Sequence, residues 1–332
     1  MHSLITGGAG FIGSHLIDRL VATNDHITVV DDMSTGRPDN IHDAINNDVI
    51  TLVNGSVCDQ DLMNRLVQDC DRVFHLAAAV GVNLIVDRPV HTIETNIHGS
   101  EVVLAATAQH RRPILITSTS EVYGKGTRIP FSEDDDVVYG NTTKGRWSYA
   151  VSKAVDEFLA LAYHREAGLP VVIVRLFNTV GPKQTGQYGM VVPRFIRAAL
   201  AHQPLMVYGD GQQSRCFADV SDVVGAIVRL IEEPRAAGQV FNVGTTDLIT
   251  IEDLAKRVID LTGSSSTIKY VPYDEAYAPG FEDMRIRQPS LDRIYTLIKY
   301  KPSLTLDETL MRIVKWMRDS PQSPVLPTSP VD

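Results

Sequence analysis

Leu4-Ile5-Thr6-Gly7-Gly8-Ala9-Gly10-Phe11-Ile12-Gly13 decides the fold of this 332-residue chain. A short apolar run ends in glycines at 7, 10 and 13, and Leu16, Ile17, Leu20 and Val21 then recur at helical spacing. The pattern reads as strand, glycine turn and helix. Glycine lets the backbone turn tightly, approach a pyrophosphate and pack the helix against the sheet, with the helix N-terminus facing the phosphates. Gly7, Gly10, Phe11, Ile12 and Gly13 are therefore candidate dinucleotide-binding residues. The next strand, Ile27 to Val30, ends at Asp31 and Asp32, where a carboxylate can accept the adenosine ribose hydroxyls. A carboxylate there repels a 2′-phosphate, which favours NAD over NADP, and Arg37 nearby tempers that preference.

Outward from this turn, strands and helices alternate. Strands are expected at Val49 to Val53, Arg72 to Leu76, Ile114 to Thr117 and Val171 to Leu176. Helices are expected at Asp59 to Gln68, at Pro89 to His110, and through Tyr149 and Lys153 with an apolar face of Ala154, Phe158, Leu161 and Ala162. The alternation predicts an α/β fold, a Rossmann-type doubly wound parallel sheet with ligands at the carboxyl ends of its strands. Candidate contacts fall at those ends: Ser56 and Val57 beside adenine, Leu76, Ala77 and Ala78 along the pyrophosphate and ribose, and Thr119, Ser120 and Glu121 after the fifth strand. His75 reads as a packed, hydrogen-bonded histidine and Asn96 as a buried structural polar group.

Beyond Leu176 the regular alternation breaks down. Strands at Leu205 to Tyr208, Arg215 to Asp219 and Val240 to Val243, with helices at Val191 to Ala201, Val220 to Ile231, Ile251 to Leu261 and Leu306 to Met317, predict a smaller C-terminal α/β substrate lobe. The expected division is a mainly NAD-binding domain over 1–176 and a mainly substrate-binding lobe over 177–318, the two interleaved. A disordered, proline- and serine-rich tail is expected over 319–332.

Apolar residues at 44% and charged residues at 21% describe a soluble globular protein, and the net charge of −9 offers no basic footprint. Nucleic acid and membrane are therefore not expected partners. Cys58, Cys70 and Cys216 lack paired spacing, which suggests reduced thiols and a cytoplasmic location. The N-terminus has no secretory pattern, and no apolar run is long enough to span a bilayer. No histidine has ligand spacing, so no metal is assigned.

Tyr149 and Lys153, four apart in a helical pattern, leave one face one turn apart. A positive charge beside a phenol favours the phenolate and moves the pair toward general-base work.

In this order, the glycine turn, Asp31, His75 to Ala78, Thr119, Tyr149/Lys153, Phe177-Asn178 and Arg215 resemble the extended short-chain dehydrogenase/reductases of the nucleotide-sugar epimerase, dehydratase and decarboxylase group. The resemblance covers about residues 1–318. It implies that Thr119 binds the hydroxyl at sugar carbon 4, that Tyr149 takes its proton while hydride passes to NAD, and that Lys153 holds the nicotinamide ribose and lowers the Tyr149 pKa. It further implies Val180 beside the cofactor, Asn178, Arg215 and Val192 at the substrate, Tyr208 flanking the base of a UDP-sugar, and Arg287 near its phosphate and sugar.

Glu121 separates the possible reactions. A 4-epimerase needs no extra carboxylate, whereas a 4,6-dehydratase needs a base at carbon 5 and an acid at the carbon 6 hydroxyl. A uronate decarboxylase can use Ser120 and Glu121 to orient the carboxylate or relay a proton. Arg146-Trp147-Ser148-Tyr149 and Arg285-Ile286-Arg287-Gln288-Pro289 resemble segments of bacterial uronate decarboxylases. The leading expectation is UDP-glucuronate decarboxylation to UDP-xylose, with 4-epimerase and 4,6-dehydratase as alternatives. A catalytically silent NAD-sensing scaffold is the non-enzyme alternative, against which the Thr119, Tyr149 and Lys153 set argues. The resemblance also implies a homodimer built on the helices around Pro89 to His110 and Trp147 to Gly168.

Overall fold

In the computed structural model, which describes residues 1–79, 89–186, 190–276 and 284–319, the glycine turn joins strand β1 (His2–Thr6) to the helix Phe11–Val21. The chain continues through β2 (His26–Asp31), β3 (Ile50–Asn54), β4 (Arg72–His75), β5 (Ile114–Thr119) and β6 (Val171–Leu176). Helices Gln60–Gln68, Pro89–His110 and Trp147–Ala167 lie among them.

Short strands follow: β7 (Thr179–Val180), β8 (Leu205–Tyr208), β9 (Ser214–Cys216), β10 (Ala218–Asp219), β11 (Gln239–Val243), β12 (Leu248–Thr250), β13 (Ile268–Val271) and β14 (Ile286–Arg287). The main sheet has seven strands in the order β3-β2-β1-β4-β5-β6-β11, every pairing parallel. The order reverses between β1 and β4, the position where such sheets bind ligands.

Alternate residues of each strand point to opposite faces. Ile5, Val29, Phe74, Leu115, Val172 and Val174 pack with Leu16, Ile17, Leu20, Val223 and Ile227 on one face. Leu4, Val30, Val73, Ile114, Ile116, Val171 and Ile173 pack with Met63, Val67, Val103 and Ala160 on the other. Burial on both faces explains why these strands read as continuous apolar runs. A third core, built on Val192, Phe195, Ile196, Leu254, Val258, Leu310 and Ile313, holds the smaller lobe together.

Two expectations need correction. The Val240 to Val243 strand, assigned above to the smaller lobe, is β11 of the main sheet and pairs with β6 from Gln239↔Val172 to Val243↔Leu176. The single strand expected from Arg215 to Asp219 is two, because the chain changes partner at Phe217: β9 pairs with β12 and β14, and β10 with β7. On the helix Trp147–Ala167, Phe158 of the expected apolar face points outward. It is 68% exposed, and Val151 and Val155, at i−7 and i−3, share its outward stripe. Asp319 closes the helix Leu306–Asp319, and the remaining tail lies outside the described residues.

Candidate active site

The dinucleotide end is built from backbone. Gly7 has φ of 72°, and a Cβ there would stand 2.8 Å from the Cα of Ala77. A Cβ on Gly13 would stand 2.4 Å from the Gly7 carbonyl oxygen and 2.6 Å from the Gly8 Cα. Both sites need glycine, one for its left-handed backbone and both for close approach. Gly10 caps the helix Phe11–Val21 without a side-chain hydrogen bond, so the first amides of the helix point into the turn. At the end of β2, Asp31 accepts hydrogen bonds from the amides of Ala9 and Met33, each at 2.9 Å, which fixes its carboxylate at the cavity wall. This cradle and carboxylate fit NAD: Gly7 to Gly13 would hold the pyrophosphate, and Asp31 the adenosine ribose.

Gly7, Gly10, Phe11, Ile12, Gly13, Asp31, Asp32, Val57, Leu76, Ala77, Ala78 and Val180 line one cavity of about 600 Å³. The same cavity is lined by Thr119, Ser120, Glu121, Tyr149, Lys153, Asn178, Val192, Tyr208, Arg215 and Arg287. Ser56 does not line it; its hydroxyl accepts from the Cys58 amide at 3.2 Å and shapes the turn instead. His75 is buried between Thr6 and Ser100, at 2.8 and 3.2 Å, and burial, then the Lys153 charge, hold its pKa down to about 3. Asn96 clasps the Ala79 backbone with both ends of its amide, at 2.8 and 3.2 Å.

The helix Trp147–Ala167 presents Tyr149 toward Thr119, whose hydroxyl favours the phenolate. Lys153 does not have the effect on Tyr149 expected of it. Its ammonium is paired with Asp156 at 2.7 Å, both side chains buried, and the phenol is pushed up rather than down. Burial is the main cause, and the negative charges of Glu121 and Asp156 add to it.

Glu121 follows Thr119, which caps the short helical turn Ser120–Tyr123 by accepting from the Glu121 amide at 3.2 Å. One Glu121 oxygen meets Arg287 at 2.7 Å and the other meets Arg146 at 3.4 Å. Burial alone raises a carboxyl pKa, but the charges of Arg287, Arg146 and Arg215 outweigh it and hold Glu121 below its ordinary value. Glu121 is therefore a carboxylate shared between two guanidinium groups.

The smaller lobe supplies the far wall. Asn178 donates to the Cys216 carbonyl at 3.1 Å, tying the end of β6 to β9. Arg194, which sequence reasoning missed, lies with its guanidinium 4.5 Å over the Tyr208 ring and donates to the Tyr208 hydroxyl at 2.6 Å. Gln213 also lines the cavity and donates to the Tyr208 carbonyl at 3.0 Å. Position after Met190, at the start of the helix Val191–Leu200, was the available signal for Arg194, since a helix N-terminus facing a cleft is a ready anion site.

A model of the NAD dependent epimerase/dehydratase family matches residues 3–244. Over 317 residues, 95% of this chain and 97% of the relative, the chain is 43% identical to a UDP-N-acetyl-alpha-D-glucosaminuronate decarboxylase of Bacillus cytotoxicus. It is 35% identical to UDP-glucuronic acid decarboxylase 4 of Arabidopsis thaliana, over 95% of this chain and 68% of that protein. The solved UDP-glucuronic acid 4-epimerase of Bacillus cereus, in complex with UDP-glucuronic acid and NAD, superposes with a TM-score of 0.86 at 28% identity, covering 96% of this chain and 99% of that one. Architecture, cavity and kinship agree: the chain is an NAD-dependent enzyme belonging to the NAD dependent epimerase/dehydratase family.

Proposed function

We propose that this enzyme decarboxylates a UDP-hexuronate through a transient 4-keto sugar, UDP-glucuronate to UDP-xylose being the reading its own motifs favour. The observation that carries the proposal is the charge around Glu121, where Arg146, Arg215 and Arg287 act on a single carboxylate beside the Thr119–Tyr149 pair. A neutral hexose brings only its diphosphate to such a surplus of guanidinium; a uronate brings a second anion. The names of the relatives support the same chemistry.

Tyr149, oriented by Thr119, takes the proton of the carbon 4 hydroxyl. The chemistry NAD supplies when bound is reversible acceptance of hydride at carbon 4. The resulting ketone makes the carbon 5 carboxylate a β-keto acid, carbon dioxide leaves, and its bonding electrons form an enolate whose oxygen Thr119 and Tyr149 hydrogen-bond; a proton added at carbon 5, return of the hydride to carbon 4 and return of the Tyr149 proton to the carbon 4 oxygen complete UDP-xylose. Glu121, kept ionised, fixes Arg287 and Arg146. A second reading, UDP-N-acetylglucosaminuronate as substrate, is favoured by the 43% identity to the relative named for it.

The deciding experiment incubates the enzyme and NAD with UDP-glucuronate, UDP-N-acetylglucosaminuronate and UDP-glucose and follows product mass. Loss of carbon dioxide supports the proposal; loss of water or an isobaric product overturns it.

The same proposal includes a homodimer, supported by the exposed stripe of Val151, Val155 and Phe158 and by the exposed Val90 and Ile93 on the Pro89–His110 helix. It also includes a cytoplasmic location, supported by three unbridged cysteines. No helix among the described residues is long and apolar enough to cross a membrane.

A further inference from the structure

At the carboxyl ends of β5 and β6 the apolar rows give way to polar groups. Ile114 and Ile116 on β5, and Val171 and Ile173 on β6, pack in the core that also holds Ala160 of the helix Trp147–Ala167. The next residues in those rows are Ser118 and Arg175, paired across the sheet, and the next turn of the helix toward Tyr149 carries Glu157. All three side chains are buried. Ser118 donates to Glu157 Oε1 at 2.5 Å. Arg175 forks onto the same carboxylate, from Nη2 to Oε2 at 2.7 Å and from Nε to Oε1 at 3.0 Å.

The Arg175 guanidinium reaches further. It lies 4.8 Å over the ring of Tyr123, the last residue of the turn that carries Glu121, and donates to the Glu133 carbonyl at 3.4 Å. The Tyr123 hydroxyl is held in turn, donating to Asn242 of β11 at 2.7 Å. One guanidinium thus joins the strand that ends at Thr119, the helix that carries Tyr149 and Lys153, and the turn that presents Glu121.

Neither Arg175 nor Glu157 lines the cavity, although Ser118 does. Net stability is a poor account of the pair, because desolvation offsets much of the attraction in a buried ion pair. What it supplies is direction. Aliphatic packing is non-directional and lets a helix slide, whereas a bidentate fork fixes its height and rotation on the sheet. Glu157 stands eight residues from Tyr149, about 12 Å along the helix axis, so a shift at the fork is carried rigidly to the phenol.

We propose that Arg175 and Glu157 are positioning residues: their fork sets where Tyr149 stands against Thr119 and braces the Glu121 turn from behind the cavity. The inference rests on Tyr149 as general base, not on which UDP-sugar is turned over.

The test is Glu157→Gln, which keeps the shape and turns one accepting oxygen into a donor facing the guanidinium. For the folded, NAD-loaded enzyme on UDP-glucuronate, kcat falls by about 10- to 100-fold, because small displacements of reacting groups are costly. KM and NAD affinity stay within about twofold, since the groups that bind are not displaced. Arg175→Lys keeps the charge but not the fork, and kcat falls in the same way. A lower melting temperature with kcat of the folded enzyme unchanged in either variant overturns the proposal, as does a parallel loss of kcat, KM and NAD affinity. Should neither variant fold, Ser118→Ala decides by the same readouts.

Absence of turnover by the wild-type enzyme on any sugar nucleotide counts against the functional reading alone, and hydrogen exchange of the NAD-bound proteins then decides. Glu157→Gln should speed exchange from Thr119 to Tyr123 and from Trp147 to Lys153, and leave β1 and the helix Phe11–Val21 as they were. Unchanged exchange in the first two segments, or faster exchange throughout the chain, overturns the positioning role.

Discussion

Replacing Glu121 by glutamine keeps the volume and removes the charge that holds two arginines. The carboxylate lies 2.7 Å from Arg287 and 3.4 Å from Arg146, and its side chain is 23% exposed. Removing one partner of a fully buried pair costs about 3–5 kcal/mol, and partial exposure lowers this to about 2–3 kcal/mol. If that energy orients the guanidinium groups during reaction, kcat for carbon dioxide release falls by about 30- to 150-fold, since 1.36 kcal/mol is tenfold. The Michaelis constant for a uronate should stay level or fall, because the freed guanidinium groups now have only the substrate's anions to meet. NAD binding should not change, as the glycine turn and Asp31 are untouched. The assay pairs steady-state release of carbon dioxide with calorimetric NAD titration of the same preparation. A kcat within twofold of wild type, or an equal loss of NAD affinity, would refute the role given to Glu121.

Other expectations follow from single contacts. Gly13→Ala places a methyl 2.4 Å from the Gly7 carbonyl, and NAD affinity should fall by at least tenfold in a calorimetric titration. His75 has a folded-state pKa near 3 against an ordinary value of 6.5, so it binds its proton in the unfolded state first. Its contribution to stability is therefore complete above 6.5 and is lost, at about 1.4 kcal/mol per pH unit, as pH falls toward 3. Denaturant titrations across that window should show a shallower slope for His75→Gln than for wild type. Phe158→Glu puts a charge in the exposed stripe and should convert a dimer to monomer by sedimentation without changing the fold.

The nucleotide half was legible because its signals are local. The glycine turn, the acidic end of β2 and the alternating strands each lie within one short stretch, and the parallel sheet is the arrangement that buries such strands on both faces. Residues whose placement depends on distant partners were harder. The Val240 to Val243 run has the same pattern in either lobe, and only pairing with β6 assigns it. Phe158 satisfies a helical apolar stripe, yet spacing does not say what that stripe faces. Lys153 and Asp156 stand three apart, visible in the sequence, but the charge exchange between them depends on burial that spacing does not reveal. Arg146 and Arg287 are far apart in the chain, and their shared hold on Glu121 exists only after the lobe folds over β5.

The last strand of the main sheet has a consequence for how the chain is made. β11 is synthesised after β7 to β10 have already left for the smaller lobe, and until residue 243 emerges from the ribosome β6 remains an open edge. An unpaired edge is a template for mispairing with other chains. A nascent or truncated chain that stops near 176 therefore carries the glycine turn and the Tyr149 helix but an unfinished sheet. Chaperone dependence during translation, and insolubility of an isolated N-terminal half in expression trials, are the expected signs of that order of assembly.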